Sequence, residues 1–228
     1  LINAIFFGDY GNRILPSTAG RTTMCPTELL FEAGKPPAIE LLPIETRSTN
    51  ASVAEFKRFP EEWRVVELDT ASAEAMHAAL SRVGEQKLVS QELAAKLGFA
   101  IDAEGKSGLK PDAGGLVEIP CWRHAVINFP HPLLEQGLVI LDTPGLNAIG
   151  AEPELTLSQL PNAHAILFIL AADTGVTQSD LAVWRDHVNG ARTRQKGRIA
   201  VLNKIDGLWD GIRSEAEIEA EISRQVKS

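Results

Sequence analysis

Apolar residues follow two different patterns along this chain: short unbroken runs, and positions at helical spacing. Wholly apolar runs occur at residues 138–141, 165–170 and 199–202. Short runs of this kind are typical of strands that are buried on both faces of a parallel sheet. Apolar residues at helical spacing follow two capping-box sequences, which begin at Thr177 and Ser214. The alternation predicts an α/β fold, with a mostly parallel sheet and helices on both of its faces.

The first half of the chain has a less regular pattern. Residues 27–32 and 38–44 are predicted to be strands that pair across a short Gly- and Pro-containing connection. From about residue 48 to residue 98, apolar positions have helical spacing, which predicts two or three helices. A glycine-rich loop is expected at 102–115, followed by a strand at 122–129.

Composition narrows the class of protein. With 228 residues and 44% hydrophobic residues, the chain can bury a sizeable core, and its net charge of −8 argues against a nucleic-acid partner. The two cysteines, Cys25 and Cys121, are too few for a disulfide framework and fit a reducing compartment. This cysteine usage leads us to expect a cytoplasmic protein. No apolar stretch approaches the about 18 residues that a membrane span needs.

The sequence Asp142-Thr143-Pro144-Gly145 directly follows the first apolar run. An aspartate at the end of a buried strand can support Mg²⁺ while the ion bridges phosphate oxygens. A glycine lets a backbone N–H approach a γ-phosphate without a Cβ in the way. An ordinary turn would use the same residue types, but the position after an apolar strand favours a phosphate sensor.

The sequence Asn203-Lys204-Ile205-Asp206 directly follows the last apolar run. The Asp206 carboxylate can accept two hydrogen bonds from guanine, an arrangement of donors that adenine does not offer. Asn203 can hold the loop and contact the base edge, and the aliphatic stem of Lys204 can lie over the ring. A solvated polar loop is the alternative. The order of the two motifs, each at a strand end, favours a guanine-nucleotide site.

A third candidate lies in the polar loop at residues 17–23. There a threonine hydroxyl and carbonyl could reach the metal ion in the triphosphate state. Spacing alone does not distinguish Thr22 from Thr23.

A resemblance to a known family separates these two residues. Residues 14–26, ILPSTAGRTTMCP, resemble the switch I region of the dynamin superfamily, in which a Leu-Pro pair precedes a glycine-containing loop, the metal-binding threonine and a further proline. Laid along that pattern, the functional threonine is Thr23. Other segments resemble the helix after the phosphate-binding loop, switch II and the guanine motif of that family, at residues 1–4, 142–145 and 203–206. Residues 122–129 and 146–150 look most like bacterial dynamin-like proteins.

One part of the family's pattern does not occur. The chain has no G-x-x-x-x-G-K-[ST] sequence, so the phosphate-binding lysine and its loop (the P-loop) are missing. The first residue is Leu1, not methionine. We therefore expect residues 1–228 to be part of a dynamin-type GTPase domain that lacks the P-loop and the C-terminal part, with 48–115 as a helical and loop insertion.

The resemblance implies a P-loop GTPase-like fold and an enzyme that converts GTP to GDP and phosphate with Mg²⁺. It assigns Thr23 and Gly145 to catalysis, Thr23 and Asp142 to the metal, and the remaining nucleotide contacts to Asn203, Lys204, Asp206, Asp142 and Gly145. It also implies a full-length protein that forms homo-oligomers through regions outside this chain and lies peripherally at the inner face of a membrane. By itself, the chain is expected to be inactive and to bind GTP very weakly.

Two alternatives share these observations. One is a small regulatory or ribosome-assembly GTPase with the same motifs. The other is a nucleotide-independent scaffold with a degenerate site. The sequence upstream of Leu1 tests the second alternative, because an intact P-loop there would exclude the obvious form of degeneracy.

Overall fold

The computed structural model describes residues 2–11, 14–15, 25–49, 51–102, 109–142, 163–172, 176–185, 197–209 and 214–227. The chain divides into two compact units, Leu1–Pro153 and Glu154–Ser228. None of the helices in these described ranges is long and apolar enough to cross a membrane.

The first unit contains five helices and seven strands among its described residues. They are α1 (Ile2–Phe6), β1 (Thr27–Leu30), β2 (Ala38–Pro43), α2 (Val53–Phe56), β3 (Arg64–Glu67), α3 (Ala73–Ser81), β4 (Gln86–Ser90), α4 (Gln91–Lys96), β5 (Leu116–Pro120), β6 (Trp122–Asn128), α5 (Pro132–Glu135) and β7 (Ile140–Asp142). In the second unit they are β8 (Ala165–Ala171), α6 (Gln178–Val183), β9 (Gly197–Asn203) and α7 (Glu215–Lys227).

Five strands of the first unit form one sheet, in the order β3-β2-β6-β1-β7. β1 is parallel to β6 and antiparallel to β7. β2 is antiparallel to both β6 and β3. β4 and β5 form a separate antiparallel pair, while β8 and β9 in the second unit are parallel. The α/β class is as predicted, but the described sheet is mixed where a mostly parallel one was expected, because apolar runs indicate burial and not the direction of the neighbouring strand.

The predicted pairing of residues 27–32 with 38–44 is wrong. The corresponding strands, β1 and β2, both pair with β6, which lies between them. The buried Asn128 at the end of β6 holds their connection: its Oδ1 accepts from the N–H of Glu32 at 2.8 Å, and its Nδ2 donates to the carbonyls of Lys35 and Pro36 at 3.2 and 3.0 Å. β6, which comes much later in the sequence, therefore occupies the position between β1 and β2, and the two do not form a hairpin.

Among its described residues, the segment 48–98 contains three helices, where the spacing predicts two or three, and each is begun by a serine. Ser52, Ser72 and Ser90 accept hydrogen bonds from backbone N–H groups in the first turns of α2, α3 and α4. Such caps typically contribute about 1 kcal/mol each. The segment also contains β3 and β4, which helical spacing did not predict, and β3 is an edge strand of the five-stranded sheet.

Apolar side chains on one face of this sheet form the main core of the first unit. Its fully buried members come from strands, helices and connections alike: Phe7, Ile14, Ile39, Leu41, Met76, Leu80, Ile127 and Leu134. A smaller cluster packs α4 against the β4–β5 pair, through Val89, Ala94, Leu97, Val117 and Ile119. The main core therefore positions β1 and β7, the strands beside the predicted phosphate site.

The second unit confirms both predicted capping boxes. Thr177 and Asp180 exchange side-chain to backbone hydrogen bonds of 3.2 and 2.9 Å at the start of α6. Ser214 and Glu217 do the same before α7. The apolar runs of β8 and β9 were expected to be buried on both faces of the sheet. In the second unit, three of their side chains are about half exposed: Leu167, Ile169 and Ile199.

Candidate functional site

Asp142 is the last residue of β7, at the edge of the five-stranded sheet. It pairs in register with Thr27, the first residue of β1. Thr27 is buried, and its hydroxyl donates to the carbonyl of Cys25 at 3.2 Å. The strand that ends at Asp142 therefore lies beside the strand that begins four residues after Thr23 in the sequence.

Burial determines the pKa of Cys25, which lies just before β1 and close to Asp142. Cys25 is 1% exposed, and burial is the main reason that the pKa of its thiol rises to about 12. The hydrogen bond with Thr27 works in the opposite direction, and the negative charge of Asp142 adds to the increase. Cys25 is therefore a protonated, unreactive core residue, and Asp142 supplies negative charge at this end of the sheet.

The carboxylate of Asp142, at the end of β7, is a ligand type that fits Mg²⁺. Within the described part of the chain, no three or more His, Cys, Asp or Glu side chains are grouped to hold a metal ion. Mg²⁺ at phosphate sites commonly uses one or two carboxylates, with phosphate oxygens and water completing its coordination. Asp142 provides one such carboxylate. Thr23 and Gly145, the other predicted residues of the phosphate site, lie outside the described residues.

The predicted guanine motif, residues 203–206, lies in the second unit, at the end of β9. Asn203 is the last residue of this strand, and its carbonyl accepts from the N–H of Ala172 at 2.9 Å, just after β8. Asp206 lies in a 3₁₀ turn, Ile205–Leu208, and the buried Leu208 packs with Ile218 of α7. The side chains of Asn203, Lys204 and Asp206 are exposed, so a packed strand end presents all three to solvent.

Lys204 has an unusual backbone conformation. Its φ is 58° and its ψ is 30°, the left-handed region, and it is the one non-glycine residue with positive φ among those described. This conformation costs about 1–2 kcal/mol for a residue with a Cβ. The sequence gives no signal for this strain, because lysine is not a residue type that favours the left-handed region. Strain retained next to exposed polar side chains is itself an indication of function.

Comparison with known proteins identifies the family of the chain. A model of the dynamin family matches residues 1–205. The chain belongs to the dynamin family. A bacterial dynamin-like protein from Nostoc punctiforme is 33% identical over 90 residues, which are 40% of this chain and 12% of that relative.

A solved structure of an oligomerised bacterial dynamin pair matches 92% of the chain and 25% of its own chain, with 18% identity and a TM-score of 0.44. The chain thus spans a small part of the length of the proteins that it matches. Family membership confirms the dynamin superfamily GTPase domain and the P-loop GTPase-like α/β class. It favours the dynamin interpretation over that of a small regulatory or ribosome-assembly GTPase.

Proposed function

We propose that this chain is the central part of a GTPase domain from a dynamin-like protein, which binds GTP and hydrolyses it to GDP and phosphate. The observation that carries the proposal is the register of Thr27 with Asp142. It brings the start of β1, four residues after Thr23 in the sequence, next to the strand end that carries Asp142, the carboxylate that we propose for the metal. In this proposal the sequence preceding residue 1 supplies the P-loop.

At the phosphate end, each residue has a limited task. Asp142 would support Mg²⁺, and Thr23 would hold the same ion and the attacking water. The backbone N–H of Gly145 would contact the γ-phosphate. Bound Mg²⁺ neutralises charge on the β- and γ-phosphate oxygens. The chain's own contribution is positioning and electrostatic stabilisation, with no protein nucleophile.

At the base end, Asp206 would accept hydrogen bonds from N1–H and the exocyclic amine of guanine. Asn203 would fix the loop, and the stem of Lys204 would lie over the ring. The exposure of all three side chains on a turn anchored by Leu208 supports this assignment. Because the turn is anchored before a ligand arrives, little conformational entropy is lost on binding.

For the whole protein, we propose homo-oligomerisation and peripheral association with the inner face of a membrane. Family membership supports both proposals. In this view the regions that carry out assembly and lipid binding lie outside residues 1–228.

Calorimetric titration with GTP and Mg²⁺ tests the nucleotide proposal. Two proteins are compared: residues 1–228 alone, and the same chain extended upstream through the sequence that precedes residue 1. We expect micromolar binding and measurable phosphate release only from the extended protein. An extended, folded protein that neither binds nor hydrolyses GTP would overturn the proposal in favour of a degenerate scaffold.

A further inference from the structure

Trp209 directly follows the 3₁₀ turn that carries Asp206, and its side chain is 49% exposed. Each of the other three tryptophans has a side-chain hydrogen bond or a ring contact within the protein: Trp63, Trp122 and Trp184. The indole of Trp209 has neither of these with any other described residue. A tryptophan with an open ring and an open N–H group is typical of surfaces that bind a ligand or a partner.

The backbone of the turn places Trp209 beside the carboxylate that we propose for the base. The N–H of Trp209 donates to the carbonyl of Asp206 at 3.2 Å, which is a 3₁₀ hydrogen bond. Side chains that are three residues apart in such a turn lie one above the other. Asp206 and Trp209 therefore leave the turn on the same side, and both side chains are exposed.

A different side of this turn is packed against the protein. Leu208 is buried and packs with Ile218 of α7. A second backbone hydrogen bond, from the N–H of Gly207 to the carbonyl of Lys204 at 3.1 Å, holds the start of the turn. Because the turn is fixed in this way, a ligand on its exposed side has little backbone to order when it binds.

An indole ring and a carboxylate on one side of a turn fit two different parts of a purine. The carboxylate can accept hydrogen bonds from donors on the edge of the base. The indole can stack on its face, and stacking of a base on an aromatic side chain depends on the π surface and not on the pattern of donors and acceptors. The two contacts are therefore chemically independent, although one ligand can make both.

We propose that Trp209 is a nucleotide-binding residue that stacks on the guanine base, while Asp206 reads the edge of the base. The proposal rests on the proposed GTPase function and adds a contact to the same site. The Trp209 ring would cover the face of the base that the Lys204 stem leaves open. Trp209 contributes to affinity in this role and not to selection among purines, since every purine presents a similar face.

The experiment measures equilibrium binding of GDP and of inosine diphosphate, which lacks the exocyclic amine, to the upstream-extended protein. For Trp209→Ala we expect both affinities to fall by about tenfold or more, with their ratio unchanged within about twofold. Trp209→Phe keeps an aromatic ring and should bind both nucleotides within about threefold of the wild type. Trp209→Leu keeps apolar bulk without a π surface and should bind them as weakly as Trp209→Ala.

Phe59→Ala is the matched control, because it removes an aromatic side chain that is 50% exposed, in the connection between α2 and β3. It should leave both affinities within about twofold of the wild type. Unchanged affinities in Trp209→Ala would overturn the proposal. Binding that leucine restores would also overturn it, because the contact would then be apolar without stacking, and a changed ratio of the two affinities would make Trp209 a reader of the base edge.

Tryptophan fluorescence provides a readout that a merely structural role would not change. GDP should alter the emission of the wild-type protein, and most of this change should be absent in Trp209→Phe, which still binds. The same change in both proteins would show that Trp209 does not contact the base. If Trp209→Ala does not fold, the comparison of phenylalanine with leucine gives the decision.

The two proposals fail in different ways. A folded wild-type protein that binds no guanine nucleotide overturns the GTPase function and this contact with it. Wild-type binding that the Trp209 variants retain in full overturns the contact alone.

Discussion

Nε2 of His124, on β6, lies 3.0 Å from Oε1 of Glu28, on the neighbouring strand β1. His124 is 2% exposed, and its ring meets that of Trp63 edge to face. Nζ of Lys57, just after α2, lies 2.8 and 2.7 Å from the two Glu28 oxygens. This cluster of one carboxylate and two nitrogen donors joins two strands of the sheet to the segment that follows α2.

The cluster predicts how stability depends on pH. Burial by itself raises the pKa of Glu28, but hydrogen bonds and charge interactions with His124 and Lys57 outweigh it and hold the pKa at about 2. A carboxyl group whose pKa is lowered on folding contributes stability above its unfolded pKa, about 4.5, and loses it as pH falls toward 2. Because the site is partly open to solvent, we expect a contribution of about 1–2 kcal/mol. Glu28→Gln should remove it, as measured by urea unfolding at pH 7 and below pH 4.

Glu32→Gln is the control for this experiment. Glu32 pairs with Lys35 at 2.6 Å, but both side chains are more than half exposed. Exposed pairs contribute about 0–1 kcal/mol, so this variant should unfold almost as the wild type does at both pH values. A Glu28→Gln protein with the same pH dependence of stability as the wild type would show that the cluster does not hold the folded state together.

The Glu28–His124 pair also shows which parts of the fold the sequence can predict. Strands β6, β8 and β9 and the capped helices α6 and α7 follow from local periodicity and capping residues. The position of β6 between β1 and β2 does not, because pairing partners 96 residues apart leave no local signal. For the same reason the sequence predicted helices but no strands in 48–98.

In the candidate site, too, some features could be predicted from local sequence and others could not. The motifs that carry Asp142, Asn203 and Asp206 were found from residue type and strand context, and the structure places each at or just after a strand end. The left-handed backbone of Lys204 was not predicted, because it depends on backbone geometry that residue type alone does not specify.

Lys204→Gly should separate backbone strain from side-chain function. Glycine occupies the left-handed region without a Cβ penalty, although it also increases the entropy of the unfolded chain, so we expect a net gain of about 0.5–1 kcal/mol in stability. In the upstream-extended protein, GTP affinity should nevertheless fall, because the variant loses the stem that we propose to lie over the base. Lys204→Ala is the control, since it loses the stem and retains the strain. Thermal unfolding in which glycine is no more stable than alanine would contradict the strain argument.

In the upstream-extended protein, Asp142→Asn should act on the metal and leave the base preference unchanged. The amide keeps the size of the side chain and removes the charge that would support Mg²⁺, so the Mg²⁺ concentration for half-maximal GTP hydrolysis should rise by at least about tenfold. The ratio of GTP to ATP affinity should stay within about twofold. Glu61→Gln, at an exposed position on a 3₁₀ turn, serves as the control for loss of one negative charge. An unchanged Mg²⁺ requirement in Asp142→Asn would remove this residue from the metal site.

Asp206→Asn, in the upstream-extended protein, should change the base preference and leave the Mg²⁺ requirement unchanged. In the proposed site the carboxylate would accept two hydrogen bonds from guanine, whereas an amide presents one acceptor and one donor, which would leave a guanine donor facing an N–H group. Sites built on such contacts discriminate strongly against a ligand that cannot complete them, so GTP affinity should fall by about a hundredfold. Xanthine carries an exocyclic carbonyl oxygen where guanine carries its exocyclic amine, and the same amide can donate to that oxygen, so xanthosine triphosphate should bind more tightly than GTP. Competition binding with both nucleotides measures this exchange of preference, with Asp142→Asn as the variant that must retain guanine. If Asp206→Asn binds GTP as the wild type does, the exposed carboxylate on this turn does not contact the base.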